Sequence, residues 1–322
     1  MNEFQLIYEV IAPTSCRRED VLLGIGDDGA VLAPPPGHSL VVVADTLVAG
    51  RHFPPDFSAA DIGYRAAAVN LSDIAAMGAT PLWATLALTL PGSDVDWVRG
   101  FAAGLAAALA PTATALVGGD TTRGPLTVTV QIIGSLPTGS ALTRAGAQPG
   151  DLVHVSGTLG DAAAGLGAWP PPPSRSSAVE HVLARFTRPT PRLALGEALR
   201  GLASSCVDVS DGLLADVGHL ATGSGVAIEL DAARLPLSVA LRECCNPPTA
   251  LRHALTGGDD YELCFTVPPS ALPRLQALAG PDIPPLSCIG HVRAGAGVRV
   301  LGGDGRMLEF ERPGFDHFDG AD

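Results

Sequence analysis

Two α/β or α+β domains meeting at an acidic cleft are the fold class this sequence predicts, and three observations predict it. The chain has 322 residues, enough for two domains or one large one. Apolar residues make up 47% and charged residues 16%, which supports a sizeable core and argues against disorder. Both halves alternate strand-like and helix-like segments and set acids beside glycines at strand ends.

In chain order, residues 21–29 (VLLGIGDDG) carry G-x-G-x-x-G at Gly24, Gly26 and Gly29. A dinucleotide fingerprint must open a helix, but Pro34, Pro35 and Pro36 follow; a kinase glycine loop needs a partner lysine, and all 20 basic residues are arginine. A tight Asp/Gly turn and a metal-holding loop with Asp27 and Asp28 both remain open. Residues 39–45 (SLVVVAD) read as a buried strand with Asp45 at its C-terminal end. Arg51 and His52 follow in a glycine-containing turn, where His52 alone carries little weight.

Residues 61–79 read as a helix that is apolar almost all round. Asp73 interrupts one face, with Asn70 a turn earlier; a solvated acid near a helix end and a functional carboxylate are both consistent with that. A strand at 81–90 and an Ala-rich amphipathic helix at 95–109 come next. A short strand at 113–117 then runs into GGDTTRG, where glycines admit a ligand to the backbone and Asp120 stands just beyond the strand. Residues 126–136 form a further strand.

The Gly-, Ala- and Pro-rich stretch 138–151, with Arg144, marks the junction between domains 1–137 and 138–322. A strand at 152–156 leads to a glycine turn and helix (157–168), a stiff loop (169–177) and a proline-capped helix (187–200). The strand 205–210 ends in Asp208-x-Ser210-Asp211 before another helix: ordinary N-caps, or a metal and phosphate edge. After a strand at 226–230, a glycine turn bearing Asp259, Asp260 and Glu262 enters a strand. A helix (271–279), two short strands and the tail GFDHF close the chain.

Composition excludes several functions. A net charge of −13 and 5% aromatic residues do not suit a nucleic-acid partner. The absence of lysine removes Walker-lysine and Schiff-base chemistry. No signal-peptide pattern or spanning apolar run appears, so no membrane partner is expected. Six cysteines without a CxxC pair read as reduced, mostly buried thiols of a cytoplasmic protein.

Asp28, Asp45, Asp73, Asp120, Asp208 and Asp211 lie in separate segments, in or beside apolar elements. If they converge, two charges about 4 Å apart repel by roughly 4 kcal/mol at an effective dielectric of about 20. Hard cations relieve this, and oxygen-only ligands select Mg²⁺. Clustered Mg²⁺ suits phosphoryl transfer from a polyphosphate.

The ordered motifs GIGDDGAVL, ADTLVAGRHF, AVNLSDIAAMGA, LVGGDTTRG, LTRAGAQPGD, VSGTLGDAAAGL, DVSDGLLADVGHL, LTGGDDYELCF and GFDHF resemble the thiamine-monophosphate kinases over nearly the whole chain. That family belongs to the aminoimidazole-ribonucleotide-synthetase-like superfamily. The resemblance implies an N-terminal α/β domain that binds ATP and Mg²⁺ and pairs in a homodimer, with a C-terminal α/β domain completing the nucleotide and substrate site. It implies ATP-dependent phosphorylation of thiamine monophosphate to thiamine diphosphate by direct transfer. Carried over, Asp28, Asp45, Asp73, Asp120, Asp208 and Asp211 match Mg²⁺ ligands, together with positions 43 and 44. Gly119, Asp120, Arg144 and Ser210 match ATP contacts; His52, Asp259 and Phe315 match substrate contacts. Asp28, Asp45, Asp73, Asp120 and Arg144 are the implied catalytic set.

There are departures. Relatives usually carry Ser or Thr where this chain has Val43 and Ala44, which leaves only main-chain carbonyls there. Position 259 is Asp where many relatives have Glu. Two other readings stand beside this one: another ATP user of the superfamily with a different acceptor, and a non-catalytic acidic metal-binding protein. The reactive cysteine and lysine signatures of the superfamily's other branches are not met by a lysine-free chain ending FDGAD.

Overall fold

A computed structural model describes residues 3–278, 280–310 and 314–315. The chain divides into two compact units: Met1–Ile74 with Ala79–Gly139, and Ala75–Gly78 with Ser140–Asp322.

In the first unit, α1 (Glu3–Gln5) continues into a π-helical segment, Leu6–Ile11. β1 (Val21–Leu23) and β2 (Val31–Leu32) form an antiparallel hairpin that carries the glycine loop, so that loop opens no helix. β3 (His38–Val48), β4 (Thr80–Leu90), β5 (Ala115–Arg123) and β6 (Thr127–Pro137) form a sheet ordered β3-β6-β4-β5. β4 and β5 are parallel, joined through α3 (Val95–Leu109); the other pairs are antiparallel.

α2 (Ala59–Ala76) links β3 to β4. Its start is fixed reciprocally: Asp61 N–H donates to Ser58 Oγ (3.1 Å), and Ser58 Oγ–H donates to Asp61 Oδ2 (2.7 Å). It stops at Gly78, φ 68°, with Gly78 N–H on the Ala75 carbonyl and Ala79 N–H on that of Ile74. Its largely apolar character is explained by burial of Ala66, Ala67, Ala68, Val69, Leu71 and Ile74, among which Arg65, Asn70 and Ser72 are buried too. It meets α3 backbone to backbone, since a Cβ at Gly104 would lie 1.9 Å from the Ala60 carbonyl oxygen.

Two strand expectations need correction. β3 extends three residues beyond Asp45, so Asp45 lies inside the strand, and Leu40 and Val42 on it are exposed. The reason is position: β3 is an edge strand paired only with β6, and a β-branched run encodes extended backbone rather than burial. β5 likewise continues through the glycine motif, with Asp120 opposite Ala87 of β4, so Asp120 is within the strand rather than past it.

The second unit holds β7 (Leu152–Ser156), α4 (Asp161–Gly167), α5 (Ser177–Thr187), α6 (Leu193–Ala198) and β8 (Ser205–Asp208). α7 (Leu213–Ser224), β9 (Ala227–Asp231), α8 (Val239–Cys244), α9 (Pro247–Thr256) and β10 (Leu263–Val267) follow. α10 (Leu272–Gln276), β11 (Leu286–Arg293), β12 (Gly297–Leu301) and β13 (Met307–Leu308) complete it. The sheet order is β13-β12-β9-β11-β7-β10-β8, and only β9–β12 is parallel. β10 is buried along its whole length: Leu263, Phe265 and Val267 enter one apolar cluster, and Cys264 enters the other.

α5, α8 and α9 are helices the sequence reading does not anticipate. Their signals are local: Ser176, Ser238 and Asn246 accept from the N–H three residues on, as N-caps do. The cysteines are free, but only Cys206 and Cys264 are buried, while Cys16 and Cys244 are exposed. Among the described residues, no helix is long and apolar enough to cross a membrane.

Candidate active site

In the first unit, the hairpin loop and the end of β5 face one cavity of about 440 Å³. Asp28, Gly119 and Asp120 line it, with Phe4, Tyr8 and Leu116 on its apolar side. The loop is shaped by Asp27, whose carboxylate accepts the Asp28 N–H at 2.8 Å. Along β5, the register against β4 shifts just before Gly118, the kind of bulge that re-aims the side chains after it. Gly119 then takes φ 151°, and a Cβ there would lie 1.9 Å from the Leu86 carbonyl oxygen, so only glycine fits beside Asp120.

Asp45 is tied through Asn70 to the helix that carries Asp73. The Asp45 N–H donates to Asn70 Oδ1 at 3.0 Å, and Asn70 Nδ2 donates back to the Ala66 carbonyl at 2.9 Å. Asp73, half-buried, is one turn further along the same helix face. Because the Asp45 N–H faces α2 rather than β6, strand alternation turns the Val43 carbonyl to the open edge and the Ala44 carbonyl toward Gln131. His52 Nδ1 accepts the Val48 N–H at 3.0 Å, which places the proton of its neutral ring on Nε2.

In the second unit, Asp208 is buried at the end of β8, and the turn that follows is held by a residue the sequence reading missed. Asp216, in the first turn of α7, accepts N–H bonds from Ser210, Asp211 and Gly212 at 3.0, 3.1 and 3.2 Å. Burial, with Asp208 and Asp211 nearby, pushes its carboxyl well up, against the N–H donors that favour the ionised form. The turn gathers two other candidates. Asp259 N–H donates to the Ser210 carbonyl (2.8 Å) and Phe315 N–H to that of Asp211 (2.9 Å). Arg144 is exposed, its carbonyl taken by Ser224 Oγ (3.2 Å). Of the tail motif, residues 316–318 lie outside the described residues.

Behind this turn lies a buried ionic network. Glu262, fully buried, takes Arg185 Nη2 at 2.9 Å, both Nε (2.7 Å) and Nη2 of Arg192, and Ser156 Oγ at 2.6 Å. Asp260 accepts the Gly160 N–H at 2.8 Å through Oδ2. Burial pushes its carboxyl up to about 8, with Arg185 opposing the shift.

Whether this donor set suits Mg²⁺ can be judged from its form. Among the described residues, no three His, Cys, Asp or Glu side chains stand together as a ready metal cage. Mg²⁺ does not require one: it keeps waters and is held by one or two carboxylates plus substrate phosphates. Asp28 and Asp120, exposed on a cavity with no nitrogen or sulfur ligand among its polar lining, fit that pattern.

Residues 26–136 match the family described as AIR synthase related protein, N-terminal domain, and residues 148–303 match AIR synthase related protein, C-terminal domain. The chain is 46% identical to thiamine-monophosphate kinase of Escherichia coli (strain K12) over 98% of both chains. It belongs to the thiamine-monophosphate kinase family. The crystal structure of thiamine-monophosphate kinase from Stenotrophomonas maltophilia K279a is 48% identical, with a TM-score of 0.88, over 96% of this chain and 98% of that one. The structure of AaThiL complexed with AMPPCP and TMP is 34% identical, with a TM-score of 0.79, over 91% and 92%.

Two features of the site carry no distinguishing signal in the sequence. An acid in a first helical turn, such as Asp216, is ordinary beside the helix dipole. The Arg185–Glu262–Arg192 network joins residues 70 or more positions apart, which no local motif signals.

Proposed function

We propose that this chain transfers the γ-phosphoryl group of ATP to thiamine monophosphate, yielding thiamine diphosphate and ADP. The bond from the γ-phosphorus to the β,γ-bridging oxygen breaks, and a bond to a phosphate oxygen of thiamine monophosphate forms. That oxygen is already anionic at neutral pH, so no general base is assigned. Magnesium, when bound, neutralises phosphate charge and aligns the two oxygens.

The protein's part is positioning and charge placement. In the first unit, Asp28, Asp45, Asp73 and Asp120 are the metal ligands, with the main-chain carbonyl of Val43; Ala44 drops out of the expected set, because its carbonyl turns into the sheet toward Gln131. Gly119 gives ATP close access to the backbone, and His52 contacts the substrate. In the second unit, Asp208 and Asp211 hold metal, Ser210 and Arg144 contact ATP, and Asp259 and Phe315 contact the substrate. Phe315, 43% exposed, offers a ring face to a cationic thiazolium or a pyrimidine. The domain roles 1–137 and 138–322 follow the same division of labour.

The observation that carries this reading is the shared cavity of Asp28, Gly119 and Asp120 in a chain of this family. The test is direct: incubate the protein with ATP, Mg²⁺ and thiamine monophosphate. Thiamine diphosphate should form with stoichiometric ADP; no diphosphate, or activity with free thiamine only, overturns the reading.

A homodimer and a cytoplasmic location complete the proposal. Exposed Leu40 and Val42 on the open edge of β3 support pairing between copies of the first unit, and the six free cysteines support a reducing compartment. Sedimentation equilibrium reads the dimer, and a monomer at micromolar concentration would refute it.

A further inference from the structure

The segment between α9 and β10, GGDDYE, is held in an unusual backbone conformation. Asp259 and Tyr261 both have left-handed backbones, at φ 62° and 51°, directly after Gly258 at φ 70°. An Asp visits that region at modest cost, but a bulky Tyr there is an outlier. The only other non-glycine residue with positive φ among the described residues is Ala113. Three backbone hydrogen bonds hold the segment against the extension of β8. Asp259 N–H donates to the Ser210 carbonyl, Tyr261 N–H to that of Val209, and Val209 N–H to that of Glu262, each at 2.8 Å.

The result of this conformation is a specific side-chain contact. Tyr261 Oη donates to Asp259 Oδ1 at 3.1 Å, while Asp260 between them is buried on the Gly160 N–H. Tyr261 itself is 8% exposed, so its ring is fixed by packing. A phenol donating to Oδ1 restrains the rotation of the Asp259 carboxyl plane and so biases where Oδ2 accepts. Strain kept at two positions to bring one hydroxyl onto one carboxylate is the pattern of a pre-organised binding group.

We infer that Tyr261 is a positioning residue for substrate recognition: its hydroxyl orients the Asp259 carboxylate toward the heterocyclic end of the acceptor, with its amino-bearing pyrimidine and cationic thiazolium. This rests on the reading of Asp259 as a substrate contact in the proposed function. The chemistry suits a carboxylate, which accepts from an exocyclic amino group and offsets a thiazolium charge.

Tyr261→Phe removes the hydroxyl and keeps the buried ring, and steady-state kinetics on the full chain test it. KM for thiamine monophosphate should rise about fivefold or more, the scale of one lost hydrogen bond, while KM for ATP stays within about twofold. Asp259→Asn should raise the same KM, and adding Tyr261→Phe to it should do nothing further, because the hydroxyl acts through the carboxylate. An unchanged KM for thiamine monophosphate in Tyr261→Phe, with the wild type active, overturns the inference. Equal rises in both KM values also overturn it, because they mark a purely structural role. A wild-type protein that makes no thiamine diphosphate refutes the proposed function itself, and this inference with it.

Discussion

Asn70 and Asp45 are joined between α2 and β3: the Asp45 backbone N–H donates to Asn70 Oδ1 at 3.0 Å. Asn70 is fully buried, and its own amide is anchored on the Ala66 carbonyl. One side chain thus fixes the strand that carries Asp45 against the helix that carries Asp73. Asn70→Ala strips the Asp45 N–H of this partner and should lower stability by roughly 1–3 kcal/mol. A drop in thermal midpoint together with weaker Mg²⁺ activation would show both consequences.

Asp73 lies among mostly apolar buried neighbours on α2, which also buries Arg65, Asn70 and Ser72. Asp73→Asn keeps size and shape, so circular dichroism should match wild type, while kcat falls by roughly 100-fold or more if the charge serves the reaction. Near-normal turnover at saturating Mg²⁺ would remove Asp73 from the metal ligands.

Glu262 balances two guanidinium groups in a fully buried position. Glu262→Ala leaves Arg185 and Arg192 without their counter-charge and should cost about 3–5 kcal/mol, enough to threaten folding at 37 °C. The readout is soluble yield and thermal midpoint, and a midpoint within a degree or two of wild type would contradict the network's role.

Asp260 gives a pH dependence with a definite sign. Its carboxyl is pushed up to about 8 in the folded protein, chiefly by burial. The folded state therefore holds a proton that the unfolded state, at about 3.9, has released. Stability from this group is full below about pH 4 and is lost as pH rises toward 8, by at most about 1.4 kcal/mol per pH unit. Asp260→Asn should flatten that part of the stability profile, as read by urea midpoints at pH 5 and pH 8.

Gly104 admits no side chain, because an added Cβ would lie 1.9 Å from the Ala60 carbonyl oxygen. Gly104→Val must push α3 away from α2 and should destabilise the first unit by on the order of 3 kcal/mol. Hydrogen exchange of α2 amides would locate the damage.

Part of the candidate site is legible in local motifs. Asp28 and Asp120 stand beside glycines, and Ser210 and Asp211 stand between a strand and a helix; turn chemistry alone leaves an ordinary turn or cap open there, and the order of the motifs along the chain is what selects them. The edges of the elements were less legible. The run SLVVVAD predicted a strand but not that the strand continues to Val48 or lies exposed at a sheet edge. GGDTTRG looked like a loop because glycine weakens strands, yet pairing with β4 carries the strand through it. The helices α5 and α8 were missed because their capping serines follow proline- and serine-rich or apolar stretches that read as loop.

The alternating α/β pattern, the absence of lysine chemistry, the acid-and-glycine motifs and, through their order, the family are all written in the amino-acid sequence. These are local or compositional properties, written in neighbouring residues. Packing sets the rest: Asn70 binds the Asp45 N–H, Asp216 ties the Ser210–Gly212 turn, two arginines clamp Glu262, and Tyr261 reaches Asp259 from a left-handed backbone. Those contacts depend on how elements pack and which backbone groups their pairing leaves over. Hydrogen bonds between distant residues are set by that geometry, not by spacing along the chain.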